Sequence, residues 1–219
     1  MIIAIDGPSG VGKGTVARAV ASALGVRHVD TGAMYRAVAW RAVQMGLPLD
    51  DEDQITQLAA GASIEIDGSQ IRIDGTDVSD AIRTPDSDRA TTSVARLARV
   101  REVLVARQRA MALPDGVVME GRDIGTVVFP DADVKIYLDA SPEERARRRA
   151  HDPAHTSSQT QAVADIAQAM QRRDESDRTR QASPLVVAPD AITIDTTQLP
   201  IQQVVDRVMA IVAQRAARP

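Results

Sequence analysis

Ile2-Ile3-Ala4-Ile5-Asp6-Gly7-Pro8-Ser9-Gly10-Val11-Gly12-Lys13-Gly14-Thr15 opens the chain and decides how the rest is read. A short β-branched apolar run reads as a buried strand. A glycine-rich turn ending in Gly-Lys follows, and then an Ala/Val-rich stretch with helical spacing. This is the layout of a phosphate-binding loop. Glycines let the backbone curl so that its N–H groups point inward at a polyphosphate. The helix starting near Lys13 adds the positive end of its dipole, and Lys13 adds a full charge. The strand before and the helix after separate this match from a chance Gly-x4-Gly-Lys in a structural turn. Gly7, Pro8, Ser9, Gly10, Val11, Gly12, Lys13, Gly14 and Thr15 are therefore expected to cradle a nucleotide's phosphates.

Composition narrows the field around that loop. The 219 residues suit one domain with an insertion or small lobe, and 44% hydrophobic content is enough for a core. A net charge of −4 argues against a surface built to coat nucleic acid, and 2% aromatics against base-stacking platforms. The absence of cysteine excludes disulfides and thiolate metal sites and fits a reducing cytoplasm. The apolar start is too short for a secretory leader, and no apolar run nears the ~20 residues of a membrane span. Cytoplasmic residence without a membrane partner is the expectation.

Further strand-like runs lie at 26–29, 117–119, 134–138 and 191–194, with helical patterns over 13–24, 33–45, 86–111, 142–149, 161–173 and 201–215. Strands alternating with helices predict an α/β fold, a parallel sheet wrapped by helices. Residues 63–67 and 70–74 break the rhythm. Ser-Ile-Glu-Ile-Asp and Gln-Ile-Arg-Ile-Asp alternate in polarity about Gly68-Ser69, which predicts an antiparallel hairpin with one wet face. It is either an edge hairpin or part of an inserted lobe. The chain is thus divided into a core of 1–46, 112–141 and 185–219, an inserted lobe of 47–111, and a polar region of 142–184. That last region carries Arg145, Arg147, Arg148, Arg149, Arg172, Arg173, Arg178 and Arg180 around a Ser/Thr/His-rich stretch at 151–159. It reads as a lid of two helices and a mobile loop. Most of these arginines read as a solvated helical face, Arg173 and Arg180 excepted; Glu143 and Glu144 stand at pairing distance in sequence from Arg147.

Two more clusters fall where strands end. Asp30-Thr31-Gly32-Ala33-Met34-Tyr35-Arg36 could be a capped helix with a surface arginine. Glu120-Gly121-Arg122-Asp123-Ile124-Gly125-Thr126 crowds charge at a carboxyl strand edge, where an open parallel sheet places its ligand. Position 14 is a departure: Gly stands where the general loop motif has a metal-ligating Ser or Thr, and Thr15 comes one place late. The Gly-Lys-Gly-Thr form is more similar to small nucleotide kinases than to GTPases.

These segments, with Gly121-Arg122-Asp123-Ile124-Gly125-Thr126-Val127-Val128-Phe129-Pro130 and 173–180, taken in order over nearly the whole chain, closely resemble bacterial cytidylate kinases of the P-loop nucleoside monophosphate kinase superfamily. The resemblance implies the P-loop fold with an antiparallel β lobe at 47–111 that binds the monophosphate, and a helical lid. It implies phosphoryl transfer from ATP to CMP or dCMP, assisted by Mg²⁺, in a monomer that takes no polymeric nucleic acid. Lys13, Arg122, Asp177 and Arg180 would be catalytic. Arg36, Arg122 and Arg180 would hold the CMP phosphate, Asp177 and Arg173 the ribose side, Asp123, Arg101 and Thr92 the base, and Thr31 would also line the acceptor site. Thr15 or Glu120 would meet Mg²⁺ through water, or Glu120 would only brace the loop. Thr31, Thr92 and Glu120 replace the serines and aspartate common at those positions and keep the hydroxyl or carboxylate. His28 reads as a packed or surface residue. Another small-acceptor kinase (adenylate, uridylate or shikimate type), a regulatory nucleotide switch and an inactive nucleotide binder stay open as other readings. The missing Asn-Lys-x-Asp signature opposes the switch, and the intact Lys13, Arg122 and Asp177 oppose the inactive form.

Overall fold

The computed structural model describes residues 1–112, 115–152 and 162–217. Strands β1 (Ile2–Asp6), β2 (Arg27–Asp30), β6 (Val117–Gly121), β7 (Val134–Asp139) and β8 (Ile192–Asp195) form a parallel sheet in the order β2-β6-β1-β7-β8. Side chains alternate across it, so its two faces feed two cores. Ile3, Ile5, Val118, Ile136 and Leu138 pack with helices α1 (Lys13–Leu24) and α8 (Ile201–Ala216) through Val16, Val20, Val204 and Val208. Ala4, Val29, Val117 and Met119 face the other way, onto α2 (Thr31–Gln44), α3 (Glu52–Gly61) and the two helices that follow. The register lines up the carboxyl ends: Ile5 lies opposite Glu120, Asp6 opposite Gly121, and Asp30 opposite Glu120. One sheet edge therefore carries three acidic residues beside the glycine-rich loop.

The expected hairpin forms as β3 (Ile64–Asp67) and β4 (Gln70–Ile73), joined by a two-residue strand β5 (Thr76–Asp77) in a small antiparallel sheet. Ile66, Ile71 and Ile73 are buried with α2 and α3, while Glu65 and Arg72 lie opposite each other on the exposed face. Helix α3 is absent from the sequence reading, although Asp51 caps it by accepting from Gln54 N at 3.0 Å.

Two helical boundaries differ from expectation. The single helix expected over 86–111 is two, α4 (Pro85–Val94) and α5 (Ala98–Ala110). No Gly or Pro marks the break. Leu97 turns to an extended conformation and packs on the core, and the buried guanidinium of Arg101 donates to the Ala95 carbonyl at 3.2 Å, satisfying a group that the interrupted helix leaves open. Helix α7 runs Val163–Thr179, beyond the expected end at 173, with Arg180 as its C-cap. The segment at 153–161, the centre of the expected mobile loop, lies outside the described residues.

Helices α6 (Pro142–Ala150) and α7 are strapped to the glycine-rich loop, and this corrects the solvated-face reading of several arginines. Asp174 is 1% exposed and accepts from Ser9 N at 3.1 Å. Arg145, also buried, donates to the Ser9 carbonyl at 3.1 Å and pairs with Asp174. Arg148 donates to Thr196 O at 2.6 Å, and Arg149 to Ser9 Oγ at 3.1 Å. Arg147, Arg172 and Arg178 are exposed as expected of a solvated helical face, Arg147 pairing with Glu144 at 2.7 Å. Removing one partner of a buried pair strands the other charge, at a cost of about 3–5 kcal/mol. Asp174→Ala is therefore expected to lower the urea-unfolding free energy by an amount in that range; a loss under about 1 kcal/mol would show that the pair is not needed to hold α6 and α7 on the loop.

Candidate active site

The loop between β1 and α1 needs glycine for steric reasons. At Gly7, φ is +149° and a Cβ would stand 2.1 Å from the Leu138 carbonyl oxygen. At Gly10, φ is +79° and a Cβ would stand 2.5 Å from Met170 Cε. Gly12 caps α1 with no side chain accepting from its first turn, and no acidic residue stands there. The positive end of α1 is thus left for an outside anion. Lys13 is buried, and its Nζ donates to the Pro8 carbonyl at 2.7 Å. Burial, then the neighbouring Arg122, push its pKa down to about 7. Ser9 through Thr15 line the cleft, whereas Gly7 and Pro8 lie outside the lining and shape the loop from behind.

Position 14 has a physical explanation. A Cβ on Gly14 would come 3.0 Å from Glu120 Oε1, so the glycine leaves room for that carboxylate. Glu120 lines the cleft at the end of β6, and its backbone carbonyl accepts from Thr31 Oγ1 at 2.7 Å. Among the described residues no group of three or more His, Asp or Glu is arranged to hold a metal ion directly. Asp30 and Glu120, adjacent in register, and Thr15 are oxygen donors of the kind a hydrated hard cation takes.

A chain of alternating charges runs across the cleft floor. Arg122 Nε donates to Asp177 Oδ2 at 2.9 Å, and Arg180 Nη1 to Asp177 Oδ1 at 3.4 Å. Arg180 Nη2 stands 3.8 Å from Asp123 Oδ1, and Arg101 Nη2 donates to Asp123 Oδ2 at 2.6 Å. The Arg101 guanidinium also lies over the Tyr35 ring, 5.0 Å from its centroid. Burial opposes ionisation of Asp177, but Arg122, Arg173 and Arg180 outweigh it and hold its carboxyl below the usual range. Arg180 is destabilised as a cation by burial and then by Arg101. Arg36 pairs with Asp30 at 2.8 Å, and Arg173 with Asp88 of α4 at 2.5 Å.

The fold thus brings Lys13, Thr31, Arg36, Arg101, Arg122, Asp123, Arg173, Asp177 and Arg180 to one cleft of about 630 Å³. Thr92 does not line it; its hydroxyl donates to the Asp88 carbonyl at 2.9 Å, and Thr91 lines the cleft instead. A threonine at one position or the next is indistinguishable until the helix phase is known. Asp6 was not singled out from sequence as a site residue, yet it organises the far wall. Its buried carboxylate accepts from Ile124 N at 2.9 Å and Gly125 N at 2.8 Å, anchoring the π-helical turn Ile124–Val128 behind Asp123. Burial raises its pKa to about 6, against the pull of those two hydrogen bonds. An acid at the end of the first strand was its only available signal.

Comparison with known proteins places the chain in a family. A solved gluconokinase from Sinorhizobium meliloti 1021 superposes with a TM-score of 0.51 at 17% identity, covering 97% of this chain and 91% of its own, a likeness of fold alone. The cytidylate kinase from Pelotomaculum thermopropionicum is 50% identical over 216 residues, 95% of this chain and 94% of its own. That from Desulfitobacterium hafniense is 47% identical over 212 residues, 95% of this chain and 91% of its own. The profile described as cytidylate kinase matches residues 3–214, the loop, the charged strand edge and the arginine-bearing helices included, and the chain belongs to that family.

Proposed function

We propose that this chain transfers the γ-phosphoryl group of ATP to CMP or dCMP, giving ADP and CDP or dCDP. The observation that carries the choice of acceptor is the buried Arg101–Asp123 pair in the same cleft as Lys13. Cytosine offers an amino donor beside a ring-nitrogen acceptor. Asp123 accepts from the amino group, and Arg101 donates to the ring nitrogen or carbonyl. Uracil presents a carbonyl where cytosine has the amino group, so the carboxylate faces an acceptor and is left unpaired, which is costly.

The chemistry asked of the protein is positioning and charge neutralisation. The triphosphate lies in the loop of Ser9 to Thr15 on the open end of α1, with Lys13 on its terminal phosphates. Arg36, Arg122 and Arg180 draw in the acceptor phosphate, and Asp177 and Arg173 hold the ribose side. Guanidinium forks suit both phosphates, since they bind oxygen pairs bidentately. Mg²⁺ supplies further neutralisation when bound; Thr15, Asp30 and Glu120 would hold its waters. In this reading 47–111 is the monophosphate-binding lobe and 142–184 the lid that excludes water. The enzyme works in the cytoplasm, as a monomer, on free nucleotides. No helix among the described residues is long and apolar enough to cross a membrane.

A coupled assay of ATP with each nucleoside monophosphate is the test of function. CMP and dCMP are expected to turn over far better than UMP or AMP; preference for another acceptor would overturn the reading. Lys13 gives a second expectation. Its folded pKa, about 7, lies below the 10.5 of an unperturbed lysine. Between those values the unfolded chain binds the extra proton, so the stability that Lys13 contributes rises with pH across this window and is lost as pH falls to 7. A bound polyphosphate restores the charged form, so ADP binding at pH 8 is expected to take up about one proton, read from calorimetry in buffers of different ionisation enthalpy. Lys13→Ala is expected to abolish that uptake and to lower turnover roughly a hundredfold or more. Near-normal turnover in the variant would overturn the phosphate-loop assignment.

A further inference from the structure

His28 lies on β2, outside the lining of the cleft, yet it reaches the cleft through Glu120. Its Nε2 stands 3.1 Å from Glu120 Oε1, and both side chains are 8% exposed. In this hydrogen bond Nε2 is taken as the donor and the Glu120 carboxyl oxygen as the acceptor. A proton on Nδ1 would find no acceptor, since that atom is buried without a partner among the described residues. The ring is therefore oriented one way, with its donor toward the carboxylate. The backbone of Glu120 is fixed as well, by Thr31 Oγ1 on its carbonyl.

The same Oε1 lies against the glycine-rich loop, 3.0 Å from where a Gly14 Cβ would stand. On one side, then, the loop gives up a side chain; on the other, a buried imidazole holds the carboxylate by hydrogen bond. A carboxylate left to choose its rotamer at this spot could fold toward Lys13 or Arg122, which share the cleft.

We propose that His28 is a positioning residue for phosphoryl transfer: it fixes the Glu120 carboxylate beside Gly14, where that group faces the phosphates and the hydrated cation they carry. This rests on the kinase reading given above. His28 touches no substrate, and its effect is routed wholly through Glu120. Loss of such a supporting partner costs on the order of tenfold to a hundredfold in activity.

Two variants and one spectrum test it. His28→Leu keeps bulk and removes the donor; His28→Gln keeps an N–H able to reach the carboxylate. With CMP and ATP, His28→Leu is expected to lower kcat roughly tenfold with little change in the KM for CMP, and His28→Gln to recover most of that loss. Unfolding midpoints of both variants are measured alongside. In imidazole nitrogen-15 spectra without added metal, the wild-type His28 Nε2 proton is expected to exchange slowly with water. That protection should be lost in Glu120→Ala, and the resonance should shift when ADP is added. The role is overturned if His28→Leu keeps the wild-type kcat, if His28→Gln falls as far as His28→Leu, or if the Nε2 proton is indifferent to Glu120→Ala. A wild-type chain that fails to phosphorylate CMP overturns the functional reading itself; an active wild type with an indifferent His28→Leu overturns this role alone.

Discussion

Positive charge concentrated in a space too small for it is the constraint on which the rest of the site depends. Among the described residues, eleven cationic side chains line the cleft against six carboxylates, although the whole chain carries a net charge of −4. Such a cluster repels itself, and burial makes each cation dearer still. The fold manages this by threading acids between the cations: Asp123 between Arg101 and Arg180, Asp177 between Arg180 and Arg122, Asp30 against Arg36, Asp88 against Arg173, Asp174 against Arg145. What remains unbalanced is the field that would draw in anionic ligands from a solution that the rest of the surface repels.

This arrangement explains why so many side chains are oriented before any ligand arrives. A guanidinium held by a carboxylate has already lost its rotamer freedom, so a phosphate that meets it need not supply that entropy. Lys13 is the exception in kind. Its Nζ has a carbonyl partner, Pro8 O, and burial with Arg122 weakens its hold on a proton. A polyphosphate bound there would favour its charged form. The acids divide by task. Asp6 and Asp174 hold backbone: the π-helical turn in one case, the loop at Ser9 in the other. Asp123 and Asp177 face the cleft itself.

The sequence carried the frame because the frame is local. A strand, a glycine turn and a helix are written within residues 2–24, and the alternating hairpin about Gly68-Ser69 is legible by its period. The block from Gly121 to Pro130, with the segment at 173–180, carried the family resemblance. What escaped is what depends on distant partners. Arg145 reads as one more surface arginine until Asp174, 29 positions later, is brought against it at the loop. The break between α4 and α5 has no punctuating residue; it follows from Leu97 packing inward and Arg101 reaching back to Ala95. Which of Thr91 and Thr92 lines the cleft is a matter of the phase of α4, which the sequence leaves open. His28 is packed, as its sequence context suggests, and its partner Glu120 lies across the sheet on the neighbouring strand β6.

The central claim is that the cleft selects its acceptor through a charge pair that has no freedom to adapt. Asp123→Asn tests it most directly, because asparagine preserves the shape and removes the charge. The quantity to measure is the ratio of kcat/KM for CMP to that for UMP, in the wild type and in the variant. The account predicts a ratio that falls by roughly tenfold or more, with base choice relaxed beyond any common slowing of the two reactions. If both constants fall together and the ratio stands, Asp123 only supports Arg101 and Arg180, and the base is read elsewhere.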